Sequence, residues 1–539
     1  MYGKILGANR GLFEFLVFAA LCILLTVVIG KDVSRHVSES LKVLLAVGAM
    51  GLALGWTCLA RRTAVILLSV LVFVSAANYM RWGQVLLTER IDSYDVIHYY
   101  LGAKYFDELG YYGLYPAIAL ADAEAGPFDS SVRRYRAQDE EQGYELRPIS
   151  EAVENGRKLR ETSFSPERWE SFNRDFLHLQ RDFTLTKNSW KTLLKDRGFN
   201  ATPAWVSLVS PVASIVPVDY IKWLCLTDVL FLAIGLLFVH WAYGNVAALW
   251  AMAFIFLSYS LRWPVIGWAF FRYDWVCALL VALALIRKNR HFPAGIMVAI
   301  ASMFRLFPVL WLFGPASRGA MDLVRFRPFS FKRFRRLILL LGGFAAAIIA
   351  FEGTTLIDLG TEPFKVHAEN MSAHLEPEEL SSRRLGFVIG LTYDGKLLPK
   401  YLPSDRKMWI DNNQAVHLFL AAIFLAPLAW LLRNRPDDES FAYGFIPFFM
   451  LLTASYYYAV VRVLLIVVHA ANMDQARHRV ALAILLGLEL FSNWAETAFP
   501  GHRVFLIGNL AWGLTLYSAY IIWSLYRSEQ EAGLPSEAN

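Results

Sequence analysis

The sequence predicts an all-α polytopic membrane protein of about 12–14 transmembrane or re-entrant helices, with a helical cap on its outer face. Three observations predict it. The chain of 539 residues is 56% hydrophobic, above the roughly 45–50% of soluble domains. Many apolar runs approach about 20 residues, the length that crosses a bilayer. The basic residues behind a net charge of +6 fall in short loops between those runs, where they read as topology signals and not as nucleic-acid contacts. Cys22, Cys58, Cys225 and Cys277 all lie in apolar stretches without a CxxC spacing, and so read as small buried hydrophobes.

Residues 1–80 hold the first three spans, near 11–30, 41–60 and 63–80. The 11–30 run is too long for the apolar core of a cleavable signal. Arg61-Arg62 places the second loop, and with it the N-terminus, in the cytoplasm by the positive-inside rule. Residues 81–218 then form a large outer (periplasmic) region. Within it, Trp169, Phe172, Phe176 and Leu179 recur at helical spacing behind Ser165-Pro166, a cap followed by a first-turn proline. Ordered short helices are expected there. Asn200-Ala201-Thr202 fits a glycosylation sequon and is read as chance.

Residues 219–356 return to the membrane, near 219–243, 245–261, 272–286, 292–316 and 337–356. Basic clusters flank 292–316 on both sides, and one crossing cannot begin and end in the cytoplasm. A hairpin broken at Arg305-Leu306-Phe307-Pro308 resolves this, because proline breaks helices and broken helices line protein cavities. A second outer loop covers 357–412. Spans near 413–432, 441–458, 460–473, 480–498 and 504–526 follow, and a disordered cytoplasmic tail fills 527–539.

Charges inside membrane segments are functional candidates by default. They are Asp228, Asp274, Arg305, Glu352, Arg462 and Glu489, with Asp92 and Asp95 at the lip of the third span. Asp95, Asp274, Arg305 and Arg462 fall near outer helix ends. Local alternatives stand beside this: Asp274 paired with Arg272, and Asp228 and Glu489 hydrogen-bonding between helices. A carboxylate beside an arginine at one interface suits transfer from a lipid-linked phosphate. The carboxylate accepts a hydroxyl proton, and the arginine fork neutralises the leaving phosphate. Zinc, P-loop and dinucleotide patterns are absent from the sequence. No metal or other cofactor is implied, although one or two acids in a water-rich site could hold a divalent ion weakly.

The stretch Asp95-Val96-Ile97-His98-Tyr99-Tyr100, followed by GAKYF and GYYGLY, resembles the first outer loop of C-type (GT-C) glycosyltransferases. It is most similar to the bacterial polyprenol-phosphate-mannose-dependent mannosyltransferases. Met303-Phe304-Arg305-Leu306-Phe307-Pro308 resembles that family's basic-x-x-Pro element, often Lys where this chain has Arg. Ser455-Tyr456-Tyr457-Tyr458 resembles its late serine–aromatic element, and Phe271-Arg272-Tyr273-Asp274-Trp275 is a further likeness. The resemblance implies an inverting hexosyl transfer, mannose-like, from a polyprenyl-phosphate sugar to a glycan, lipid or protein acceptor on the outer face. It implies Asp95 as general base with Asp92 as runner-up. Arg305 would bind the donor phosphate, with Arg462 or Arg384 as second candidates. His98, Tyr99, Tyr100, Tyr456, Tyr457, Arg272 and Asp274 would serve sugar or lipid, and His98 would either assist Asp95 or face the headgroups.

Two other readings stay open. A transporter or flippase of a lipid-linked sugar would place charges near the bilayer midplane and show repeated halves. In a non-catalytic scaffold, loss of Asp95 would change nothing but stability.

Overall fold

The computed structural model describes residues 35–83, 91–138, 144–183, 185–261, 269–325, 331–375, 381–398 and 403–533. The expected span at 11–30 and residues 262–268 and 534–539 lie outside them. Seven described helices are long and apolar enough to cross a membrane, and shorter apolar helices accompany them. The chain is a multi-pass, helical membrane protein. Ile349 and Ile357 are 74% and 87% exposed on one of the seven, a load of bare apolar surface that suits lipid and not water.

The bundle begins with α1 (Arg35–Leu54) and α2 (Arg61–Tyr79). Asn78 and Ser38 exchange hydrogen bonds with each other's backbone, at 2.9 and 3.2 Å, so the end of α2 lies beside the start of α1. The chain then makes α3 (Ser93–Val96), which runs into a π turn over Ile97–Leu101.

The cap comprises α4 (Leu114–Glu124), the antiparallel pair β1 (Arg134–Arg136) and β2 (Leu146–Pro148), α5 (Ile149–Ser163), α6 (Pro166–Arg181) and α7 (Lys187–Leu193). Ser165 caps α6 through the Arg168 N–H at 3.3 Å, with Pro166 in its first turn. Trp169, Phe172, Phe176 and Leu179 line its buried face. The chain re-enters the bundle through α8 (Pro203–Ile215).

Next come α9 (Thr227–Tyr243), α10 (Asn245–Leu257), α11 (Asp274–Arg287) and α12 (His291–Phe304). The helix stops at Arg305, which is extended. A 3₁₀ stretch, Phe307–Leu312, then turns the chain back into α13 (Phe313–Arg325). Next, α14 (Phe331–Leu359) packs along α12. The two backbones touch there. A Cβ on Gly295 would sit 1.9 Å from the Leu340 carbonyl oxygen, and one on Gly343 would sit 2.0 Å from that of Phe292.

The second outer loop folds as α15 (Glu362–Leu375) and the short strand β3 (Arg384–Leu385). Asn370 of α15 donates to the Phe199 carbonyl at 2.9 Å and accepts from Tyr144 at 2.5 Å, docking this loop onto the cap. The rest is α16 (Gln414–Leu432), α17 (Asp437–Ala442), α18 (Phe445–Leu451), β4 (Ala454–Ser455), α19 (Val463–Ala471), α20 (Ala476–Ala498) and α21 (Arg503–Gly533).

Two boundaries differ from the sequence reading. The span expected over 441–458 ends at Leu451. Ala454-Ser455 leave the helix to pair with Arg384-Leu385, and Tyr456–Arg462 form a 3₁₀ stretch on the returning limb. The C-terminal helix also runs through Ser528–Gly533, where a disordered tail is expected. Arg433 and Asn434 hold Glu529 at 3.3 and 2.9 Å, and Arg435 holds Ser528. The chain therefore has two broken hairpins, 291–325 and 437–471. Their tips meet where Phe307 contacts Phe448 and Tyr458 at 4.8 and 4.9 Å between ring centres.

Candidate functional site

The site gathers around the turn before α3, the loop before α11, the start of α8 and the break after α12. Its acidic side is the turn before α3. Asp92 caps that helix, accepting the Asp95 N–H at 3.5 Å. Both carboxylates face Arg272. The guanidinium donates directly to Asp95 Oδ1 and lies 3.6 Å from Asp92 Oδ2. Asp95 Oδ2 also accepts the Phe270 N–H at 3.3 Å. Asp95 is 6% exposed and Asp92 17%, which makes Asp92 the more reachable acid. Burial pushes the Asp92 carboxyl up to about 7; Arg272 pulls it down and Asp95 raises it further.

Arg272 is aimed by its backbone. Asp228 Oδ1, at the start of α9, accepts the N–H groups of Arg272 and Tyr273 at 2.7 and 3.0 Å. Phe271 takes a φ of +49°, which is strained for a side chain of this size. Its ring rests on Phe231 of α9 at 5.3 Å. Asp228 is thus a clamp on a loop, where the sequence reading weighs a helix–helix hydrogen bond. Arg272 does not pair with its neighbour Asp274 as the local alternative has it. Asp274 Oδ2 accepts the Trp205 indole N–H at 3.1 Å, and its Oδ1 accepts the Trp275 N–H at 2.7 Å.

Arg305 stands at the break after α12. It is set there by Thr202, which caps α8 by accepting the Trp205 N–H at 3.2 Å while donating to the Met303 carbonyl. The guanidinium carbon lies 5.7 Å from the centre of the Tyr99 ring. One terminal nitrogen donates to the Phe304 carbonyl at 2.9 Å, and Nε is buried without a hydrogen-bond partner. Arg305 makes no salt bridge among the described residues, although Asp274 lies within electrostatic reach.

Tyrosines fill the space between the arginines. Arg272 sits 5.3 Å over the Tyr457 ring, and Tyr457 packs on Tyr458 at 4.5 Å. Tyr99 packs on Trp205 at 5.6 Å, and its hydroxyl donates to Asn200 at 2.8 Å, which engages the sequon asparagine inside the fold.

The remaining sequence candidates are placed elsewhere or act as braces. His98 is buried and does not face headgroups. Its Nδ1 faces the Tyr94 carbonyl at 2.7 Å, which requires the proton on that nitrogen, so Nε2 accepts from the Tyr115 hydroxyl at 2.9 Å. Tyr100 donates to the Val216 carbonyl at 2.9 Å and accepts from Lys104 at 3.0 Å, on the cap side. Tyr456 turns to Tyr259, 5.2 Å away. Arg384 donates to the Thr453 carbonyl at 2.9 Å and braces the second hairpin. Arg462 is 1% exposed and ion-paired with Glu489 at 2.7 Å, so it does not join the cluster. Sequence reasoning missed Trp205, Asn200 and the Phe270 backbone. The Thr202-Pro203 pair, a helix-start signal beside Trp205, was the one local cue.

The arrangement offers a proton acceptor, two cations and an aromatic wall. Such a set can hold an anion beside a reacting hydroxyl. Among the described residues no group of three or more His, Cys, Asp or Glu side chains converges on one point. Comparison with protein families, with curated proteins and with solved structures returns no match to this chain.

Proposed function

We propose that this protein is an integral membrane glycosyltransferase of the C-type kind. It moves a hexose, mannose-like, from a polyprenyl-phosphate donor to a glycan, lipid or protein acceptor. The site would face the outer, periplasmic side of a bacterial inner membrane, with the N-terminus in the cytoplasm. The observation that carries the reading is Arg305: a largely buried guanidinium without a salt bridge among the described residues, beside Tyr99 and within electrostatic reach of Asp274. A buried cation of this kind is costly unless an anion joins it, and the phosphate of a lipid-linked donor would supply that anion.

In the reaction, an acceptor hydroxyl oxygen attacks the anomeric carbon and Asp95 takes its proton. The bond from that carbon to the phosphate oxygen breaks, its electron pair leaves with the polyprenyl phosphate, and the configuration inverts. Arg305 meets the growing phosphate charge, as electrostatic stabilisation of a leaving group requires. Asp92 keeps a second carboxyl within reach of the acceptor. Tyr99 and Tyr457 give the sugar or lipid a flat apolar face. No step needs a metal or other cofactor. For the transporter reading, the charges buried deepest in the bundle are Arg462 and Glu489, and these are committed to each other.

The test is sugar transfer by purified protein in liposomes, with a panel of polyprenyl-phosphate sugars and a membrane extract as acceptor. Wild type should release polyprenyl phosphate, and folded Asp95→Asn should be slower by about 10²–10⁴-fold. Equal rates in the two would remove Asp95 as base. Movement of the donor across the bilayer without release would favour the flippase.

A further inference from the structure

Arg272 stands between the acid pair and the aromatic wall that leads to Arg305. Its guanidinium closes on Asp95 and reaches toward Asp92. Its other face lies over Tyr457, on the wall that continues through Tyr458 and Tyr99 to Arg305. Below Cα the residue is pinned, because Asp228 holds two successive N–H groups and Phe271 locks the turn. Only the side chain is left to move. A swing across Tyr457 would carry the guanidinium from the carboxylate toward an anion bound beside Arg305.

We propose that Arg272 is a donor-responsive latch, which holds Asp95 as an ion pair until the phosphate of the lipid donor competes for the same guanidinium and thereby releases Asp95 as the proton acceptor. The inference rests on the function proposed above and adds a regulatory step to it. Its physical basis is charge. A sugar phosphodiester carries one negative charge, and the departing monoester carries close to two. Arg305 alone matches the first, whereas the second calls for another cation. Arginine presents five donors in a planar fork, so it can bridge a phosphate as readily as a carboxylate. The pull on Arg272 is therefore greatest as the sugar–phosphate bond breaks, the moment at which Asp95 must be free to accept a proton. With the latch on Asp95, the base is held back from water and from stray hydroxyls.

Competition for one cation leaves a thermodynamic signature. Wild type, Asp95→Asn, Arg272→Gln and the double variant would be titrated in detergent with a short-chain polyprenyl monophosphate, with the uncharged polyprenol as control. Asp95→Asn should tighten monophosphate binding about tenfold where Arg272 is present, and by no more than about twofold in the Arg272→Gln background. Polyprenol binding should be the same in all four. An equal gain with and without Arg272 would mean simple repulsion between Asp95 and phosphate and would overturn the latch, as would no gain at all. If wild type does not prefer the monophosphate to polyprenol, the lipid-phosphate reading falls and the latch with it. Should Arg272→Gln not fold, Arg272→Met replaces it. Methionine keeps much of the length of the side chain without the charge, and a gain as large as that with arginine would again count against the latch.

Discussion

The two ends of the bundle treat buried charge in opposite ways. At the end away from the cap, three consecutive acids at the start of α17 each hold partners from other helices. Asp437 binds Arg318 of α13, Arg336 of α14 at 3.1 Å and His291 of α12 at 3.0 Å. Asp438 takes Tyr243 of α9 at 2.8 Å and Arg287 of α11 at 3.4 Å. Glu439 takes Arg477 of α20 at 3.1 Å. Every acid there meets at least one cation, and the cluster ties six helices to one short segment. At the cap end, two acids share Arg272, while Arg305 goes without a salt bridge among the described residues. Matched pairs fasten a fold, and mismatched ones keep capacity for a further charge.

Three experiments press on this contrast. The largest effect is expected from Arg305→Gln, which should lower kcat/KM for the lipid donor by about 10²–10³-fold, with little change in melting temperature. A large fall in stability with transfer intact would make Arg305 a fastener like those at the other end. Asp437→Ala should do the reverse. Strain-free transfer rates should persist in the folded fraction while stability drops by about 2 kcal/mol, less than for a fully buried pair because its arginines are partly exposed. Chemical denaturation in micelles, run beside the transfer assay, separates the two outcomes.

The smallest effect concerns Asp92. Its carboxyl is raised to about 7, chiefly by burial. The folded protein then binds more protons than the unfolded chain between about pH 4 and pH 7. The stability that Asp92 contributes is therefore present below that window and lost as pH rises through it. The melting temperature of Asp92→Asn relative to wild type should climb from pH 4 to pH 7 and level off above. A flat difference would place Asp92 in water instead.

Much of the architecture is legible in the sequence because apolar length is a local signal. The break at Arg305–Pro308 is legible for the same reason: a charge and a proline interrupt one run, and basic residues flank it on both sides. The pairings are not legible. Asp95 and Arg272 lie 177 positions apart, and nothing near either one announces the other. Proximity in the chain suggests Asp274 for Arg272, yet that side chain opens α11 and turns to Trp205. Arg462 reads as a site cation until Glu489, on another helix, is brought beside it. The second hairpin tip is hidden in a different way, since an apolar stretch that leaves the helix to form a two-residue strand keeps its hydropathy.

The contact between α12 and α14 bears on how the proposed lipid donor would approach Arg305. At Gly295 and Gly343 the backbones lie too close for even a methyl group between them. An acyl or isoprenoid chain is far thicker than that gap. The seam is closed at that level, about 15 Å along α12 from Arg305, so a hydrophobic tail running that far from a head at Arg305 would lie on another flank of α12. Two glycines far from any reacting atom thus decide where a long chain could not pass between these two helices.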